Sequence, residues 1–251
     1  MEKIVQNSSI EQIANYEGNE SVLLFSRLRN PVIREQLVEF IHSVESESQD
    51  GNTRTKDQIE KDIEAKINQI ENSTNITYAD LESHPYHTAD RMVIGYIDPF
   101  TKSELTVKQT SMVEAHEKGH VVRSYSGTYK RRYADRLSAA FDSSHFVIPQ
   151  EDLDLIEEKS KDSDEPFDID SVKRWYVAYL LDPSEIVERM SQLKNYFGFS
   201  GDEVFTLEHL KYAREHYIKD VGTSNGMSGF FSIITPDTEN EFIRIINSVG
   251  I

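Results

Sequence analysis

Cysteine is absent from the 251 residues. No disulfide framework can hold this chain, and a reducing cytoplasm is its simplest expected location. A closed structural zinc site is also disfavoured, because such sites lean heavily on thiolate. Long apolar runs are missing as well. The opening stretch, MEKIVQNSSIEQIANYEGNE, lacks the apolar centre of a signal peptide. No later segment reaches the roughly 20 apolar residues that cross a bilayer, so no membrane partner is expected. Positive charge is scarce: 27 Lys and Arg stand against 44 Asp and Glu, a net of -17. That balance argues against nucleic acid and anionic lipid and favours peptides or proteins as partners, basic ones above all. Neither a P-loop nor a dinucleotide fingerprint is present. At 37% hydrophobic and 28% charged, the chain is globular and long enough to bury a proper core.

One pattern stands out against these absences. His116-Glu117-Lys118-Gly119-His120 reads H-E-x-x-H inside a segment, 110–125, whose spacing predicts a helix ending near Ser126-Gly127. Histidines four apart stand one turn above each other, so both imidazoles reach one ion. Zinc suits such ligands, and a catalytic zinc keeps three protein ligands and an open position for water. Glu117 is then placed to take a proton from that water, made more acidic by the cation. Turning the helix by about 100° per residue puts Met112, Ala115, Gly119 and Val122 on a buried side with the histidines at its rim. Glu114 and Lys118 are expected to point away. Gly119 costs roughly 1 kcal/mol of helix propensity against Ala, which suggests that another element passes close by.

Two imidazoles need a further ligand. The metzincin spacing does not supply it, since Arg123 and Ser126 stand where that motif has glycine and histidine. The best alternative is the helix opening at Asp182-Pro183-Ser184-Glu185 and running to about Phe197. Rotation puts Ile186, Met190, Leu193 and Phe197 on its buried face, Glu185 at the border and Glu188 nearly opposite, in solvent. Glu185 is therefore the expected ligand, and Arg189, one turn on, is placed to pair with it or with another acidic group. Two alternatives stay open: Glu185 closing a capping box with Asp182, or His145 or another residue completing the site.

Elsewhere the pattern reads more plainly. Helices are expected over 31–45 and 56–71, the latter carrying Ile59, Ile63, Ile67 and Ile70, with a loop or linker over 43–55. Residues 92–97 and 104–108 read as the strands of a hairpin turning through 98–103, whose open edge beside the histidine helix can hold an extended peptide. His84 and His87 read as exposed loop residues. The cations of Tyr129–Arg136 read as pairing with nearby carboxylates, and the acid-rich 151–170 as a solvated loop. Helices are expected at 207–217, where His209 and His216 serve packing, and at 239–246. The Gly-rich stretch 221–229 between them reads as a turn.

The first motif with a downstream helical glutamate resembles the gluzincin branch of zinc metallopeptidases. With Pro183-Ser184-Glu185-Ile186-Val187-Glu188-Arg189 it is also loosely similar to metallopeptidase domains of bacterial phage and mobile-element proteins, over about residues 90–200. The resemblance implies an α+β, zincin-like fold, mostly helical with a small β-hairpin or sheet beside the active-site helix. It implies His116, His120 and Glu185 as zinc ligands and Glu117 as general base. Arg189 departs from it, standing where the gluzincin helix often has an acidic residue. Three regions are expected: a helical N-terminal region 1–80, a core 81–200 and a helical region 201–251 packing on that core. The function expected is a zinc-dependent peptidase. Its rival is a catalytically silent metal-binding module whose acidic surface takes a basic partner.

Overall fold

The isoleucines of residues 56–71 recur every three or four positions, and all four are buried along one face of a helix with the expected bounds. The computed structural model describes residues 19–47, 53–72, 76–79, 86–87, 92–95, 104–123, 135–150, 153–154, 157, 168–222 and 226–251. Within them the chain is mostly helical. In order come α1 (Glu20–Arg29), α2 (Pro31–Ser46), α3 (Lys56–Glu71), β1 (Ile76–Ala79), β2 (Tyr86–His87), β3 (Met92–Gly95) and α4 (Val107–Val122). After two short 3-10 turns follow α5 (Ile169–Leu180), α6 (Pro183–Tyr196), α7 (Leu207–Val221), α8 (Met227–Ser232) and α9 (Glu239–Ile246). No described helix is long and apolar enough to cross a membrane.

The predicted hairpin is corrected at its second strand. Val107 and Lys108 form the first turn of α4, because Thr106 closes a capping box. The Thr106 N–H donates to Gln109 Oε1 at 2.7 Å and the Gln109 N–H to Thr106 Oγ1 at 3.2 Å. Two satisfied backbone donors outweigh the alternation of Glu104 to Lys108. β3 instead pairs in parallel with β1 and antiparallel with β2, in the order β1-β3-β2. The predicted turn at 98–103 lies outside the described residues, as do His84 and most of the segments 124–136 and 151–170. Of the basic segment, Arg136 is described and pairs with Glu47. Thr106→Ala is expected to lower stability by about 1 kcal/mol, the usual worth of an N-cap, checked by urea denaturation.

A single apolar core runs from Leu24 in α1 to Ile251 and is built around α6. That helix packs against α1, α4 and α5, so it is buried on every side beyond its first turn. Polar side chains are buried with it. Arg27 reaches from α1 to Phe199 O at 2.5 Å, Asn195 Oδ1 at 2.6 Å and Ser191 Oγ at 3.0 Å. Lys194 donates to Ile251 O at 2.6 Å. Burial first, then the charges of Arg27 and Arg123, pull the Lys194 ammonium from 10.5 down to about 7. Between about pH 7 and pH 10 the unfolded chain therefore binds a proton that the folded chain does not, so stability should rise with pH across that window. Urea titrations of metal-free protein at pH 7 and pH 9 check the sign, and Lys194→Met should flatten the slope.

Candidate metal centre

α4 and α6 cross with the histidines of one facing the first turn of the other. Asp182 caps α6 through Ser184 N–H at 3.0 Å, and Pro183 supplies the first helical position. This start turns Glu185 toward α4. His116 and His120, one turn apart, bring their Nε2 atoms to 3.0 Å with rings edge to face. His116 Nε2 lies 3.4 Å from Glu185 Oε2, and His120 Nε2 lies 3.3 Å from Glu185 Oε1. Among the described residues these three form the one group whose ligand atoms converge in this way. Their side chains are 11%, 8% and 12% exposed.

The spacing fits a metal better than it fits hydrogen bonds. Zinc bound tetrahedrally at about 2.0–2.1 Å holds its ligand atoms about 3.3 Å apart; each histidine meets one oxygen of the Glu185 carboxylate at close to that separation, and one ligand atom from each of the three residues lies within 4.8 Å of the others. Glu185 Oε2, meanwhile, has no hydrogen-bond partner of good geometry among the described residues. Two imidazoles and one carboxylate are also the donor types of catalytic zinc sites, and the absence of thiolate suits an open site. Burial alone would raise the Glu185 carboxyl, but His116, His120 and the charge of Arg189 more than offset it and hold the carboxyl far below its usual range. At His116 burial pulls downward, and contact with Glu185 reverses this, leaving the imidazole raised. The carboxylate is thus held as an anion facing two ring nitrogens.

Other groups surround the three. Arg189 approaches Glu185 Oε2 at 3.7 Å, as expected, and lies over the Tyr179 ring at 5.5 Å. Burial pushes the Tyr179 phenol well up; the charge of Arg189 opposes this and the neighbouring Glu185 adds to it, so the phenol stays protonated beside that carboxylate. Glu117 is buried, and its charge acts on both His116 and Tyr179. His145, the alternative ligand, sits on an exposed 3-10 turn beside Asp142. His209 caps α7 and packs on Phe197, while His216 pairs with Glu215 at the surface.

Two sequence expectations fail here. Glu188 is not solvated: it is buried and accepts from Arg123 Nη1 at 2.6 Å. Lys118 does not point away; it is buried against α1, beside Glu114, Ser21 and the Phe25 ring. In both cases a second helix covers a face that rotation about one core assigns to water. Gly119, in contrast, does mark a close approach, since a Cβ there would stand 1.8 Å from Glu188 Oε2. Tyr179 carries no signal of its own in the sequence. It lies in α5, and only the turn between α5 and α6 brings it over Glu185. No family model, curated protein or solved structure matches this chain.

Proposed function

We propose that this chain is a zinc-dependent peptidase with a zincin-like α+β arrangement, in which His116, His120 and Glu185 hold the metal and Glu117 is the general base. The observation that carries the reading is the convergence of three ligand atoms from two helices, with a buried carboxylate next in sequence to one of them. When bound, zinc would supply a more acidic water and polarise a peptide carbonyl. Glu117 takes the proton from the attacking water and returns it to the leaving amine. The charge of Arg189 helps the two imidazoles keep the Glu185 carboxylate ionised, and Tyr179 stands beside it, as the surrounding shell of a metal site does. The excess of acidic residues favours basic peptide or protein substrates.

Metal analysis of the purified protein, followed by cleavage of a peptide library with and without chelator, tests this. About one zinc per chain and chelator-sensitive cleavage are expected. Bound zinc without cleavage would favour a non-catalytic metal-binding module with a basic partner, and no zinc would defeat both readings.

A further inference from the structure

We infer that Glu188 is a positioning residue for the metal triad, acting through a notch in α4 at Gly119; the inference rests on the metal reading above. Gly119 stands next to His120 and one turn short of Arg123. A Cβ there would meet Glu188 Oε2 at 1.8 Å, Cδ at 2.4 Å and Oε1 at 2.9 Å, so the Glu188 carboxylate occupies the space that any other residue would fill. Inserted there, it accepts from Arg123 Nη1 at 2.6 Å, with side chains 0% and 1% exposed. Arg123 is the C-cap of α4, and Glu188 lies one turn beyond Glu185 in α6. The pair therefore ties together the two helices that supply the ligands, within a turn of His120 and of Glu185.

This arrangement carries two costs. A glycine in a helix interior gives up helix propensity, and a buried ion pair rarely beats well-packed apolar side chains in stability. Neither cost is recovered as stability, but both fix geometry. An apolar contact between α4 and α6 tolerates sliding or rotation, whereas a carboxylate seated in a one-residue notch and bonded to a guanidinium has one register. Ligands drawn from two helices need that register held to about 0.5 Å to keep the separations of a metal site. Arg27 adds to the fixation by holding α6 at Ser191 and Asn195, one and two turns further along. Glu185 and Glu188 thus divide the work: the first faces the ion, the second sets where the first stands.

The test compares wild type with Glu188→Gln and Gly119→Ala. The first keeps side-chain size and removes the charge that Arg123 pairs with. The second keeps every charge and pushes the carboxylate from its notch. Zinc affinity by competition and the visible spectrum of the cobalt-loaded protein are measured at a temperature where melts of the metal-free proteins show them folded. Both variants are expected to bind zinc about 10- to 100-fold more weakly, the usual effect of disturbing groups behind the ligands, and to shift the cobalt bands. Wild-type affinity and spectrum in both would overturn the inference even if their melts fall, because a purely structural pair lowers melting and leaves the folded site intact. If neither folds, Arg123→Lys, which keeps the charge and changes the reach, is read by the same measurements, with weaker binding expected and unchanged binding overturning the inference. A wild type that binds no zinc defeats the metal reading itself, whereas tight wild-type binding with unaltered variants defeats only the positioning role.

Discussion

Glu117→Gln is expected to purify with a full complement of zinc and to hydrolyse peptide about 100- to 10,000-fold more slowly than wild type. The amide has the size of the carboxylate and does not face the ion as a ligand, so His116, His120 and Glu185 keep their places. It cannot accept a proton from water at neutral pH, and that is the step assigned to Glu117. The effect should fall on kcat and leave KM nearly unchanged, since the loss belongs to the transition state. Metal content by elemental analysis and steady-state kinetics on one cleavable peptide give both numbers. A variant that retains zinc and cleaves within a few-fold of wild type would remove Glu117 from the mechanism.

Arg123→Met is expected to cost about 3–5 kcal/mol of stability, because it leaves the Glu188 carboxylate buried without its partner. The pair is sealed: Arg123 and Glu188 are both buried, and the carboxylate sits in the space left by the missing Cβ of Gly119. Combining Arg123→Met with Glu188→Met should recover most of the loss, since replacing both charges with apolar groups removes the uncompensated ion. Urea denaturation of the metal-free single and double variants measures the cycle. A single-variant loss below about 1 kcal/mol would mean that water reaches the pair, contrary to its burial.

Much of the frame was legible in the sequence wherever burial is one-sided. The isoleucine stripe of α3 and the Met112, Ala115, Gly119 and Val122 face of α4 follow from helical periodicity around one core, and both faces are buried; the start of α2 follows from Pro31 at its first position. The choice of Glu185 over Glu188 as the residue facing the histidines follows from the same rotation, helped by Asp182 and Pro183 fixing where α6 begins.

Where reading the sequence fell short, a second neighbour was responsible. α6 is enclosed by α1, α4 and α5, so its far face holds Glu188, Gln192 and Asn195 in the interior. A single-core rotation assigns those residues to solvent. The partner that makes Glu188 burial tolerable, Arg123, lies 65 positions earlier, and no local pattern announces it. Gly119 did carry a hint, as a helix-weakening residue between two ligands, though not which side chain fills the space. The 104–108 stretch shows the opposite failure: alternation suggested a strand, while the Thr106 and Gln109 cap decided for a helix. A side-chain cap that satisfies two backbone donors outweighs a five-residue alternation in setting where α4 begins.

The central claim is that two imidazoles of α4 and one carboxylate of α6 clasp a zinc ion, and anomalous scattering at the zinc edge from crystals of the purified protein tests it most directly. One peak is expected, about 2 Å from His116 Nε2, from His120 Nε2 and from an oxygen of Glu185. A map without a peak there, or with the ion held by other side chains while these three stand apart, would contradict the account.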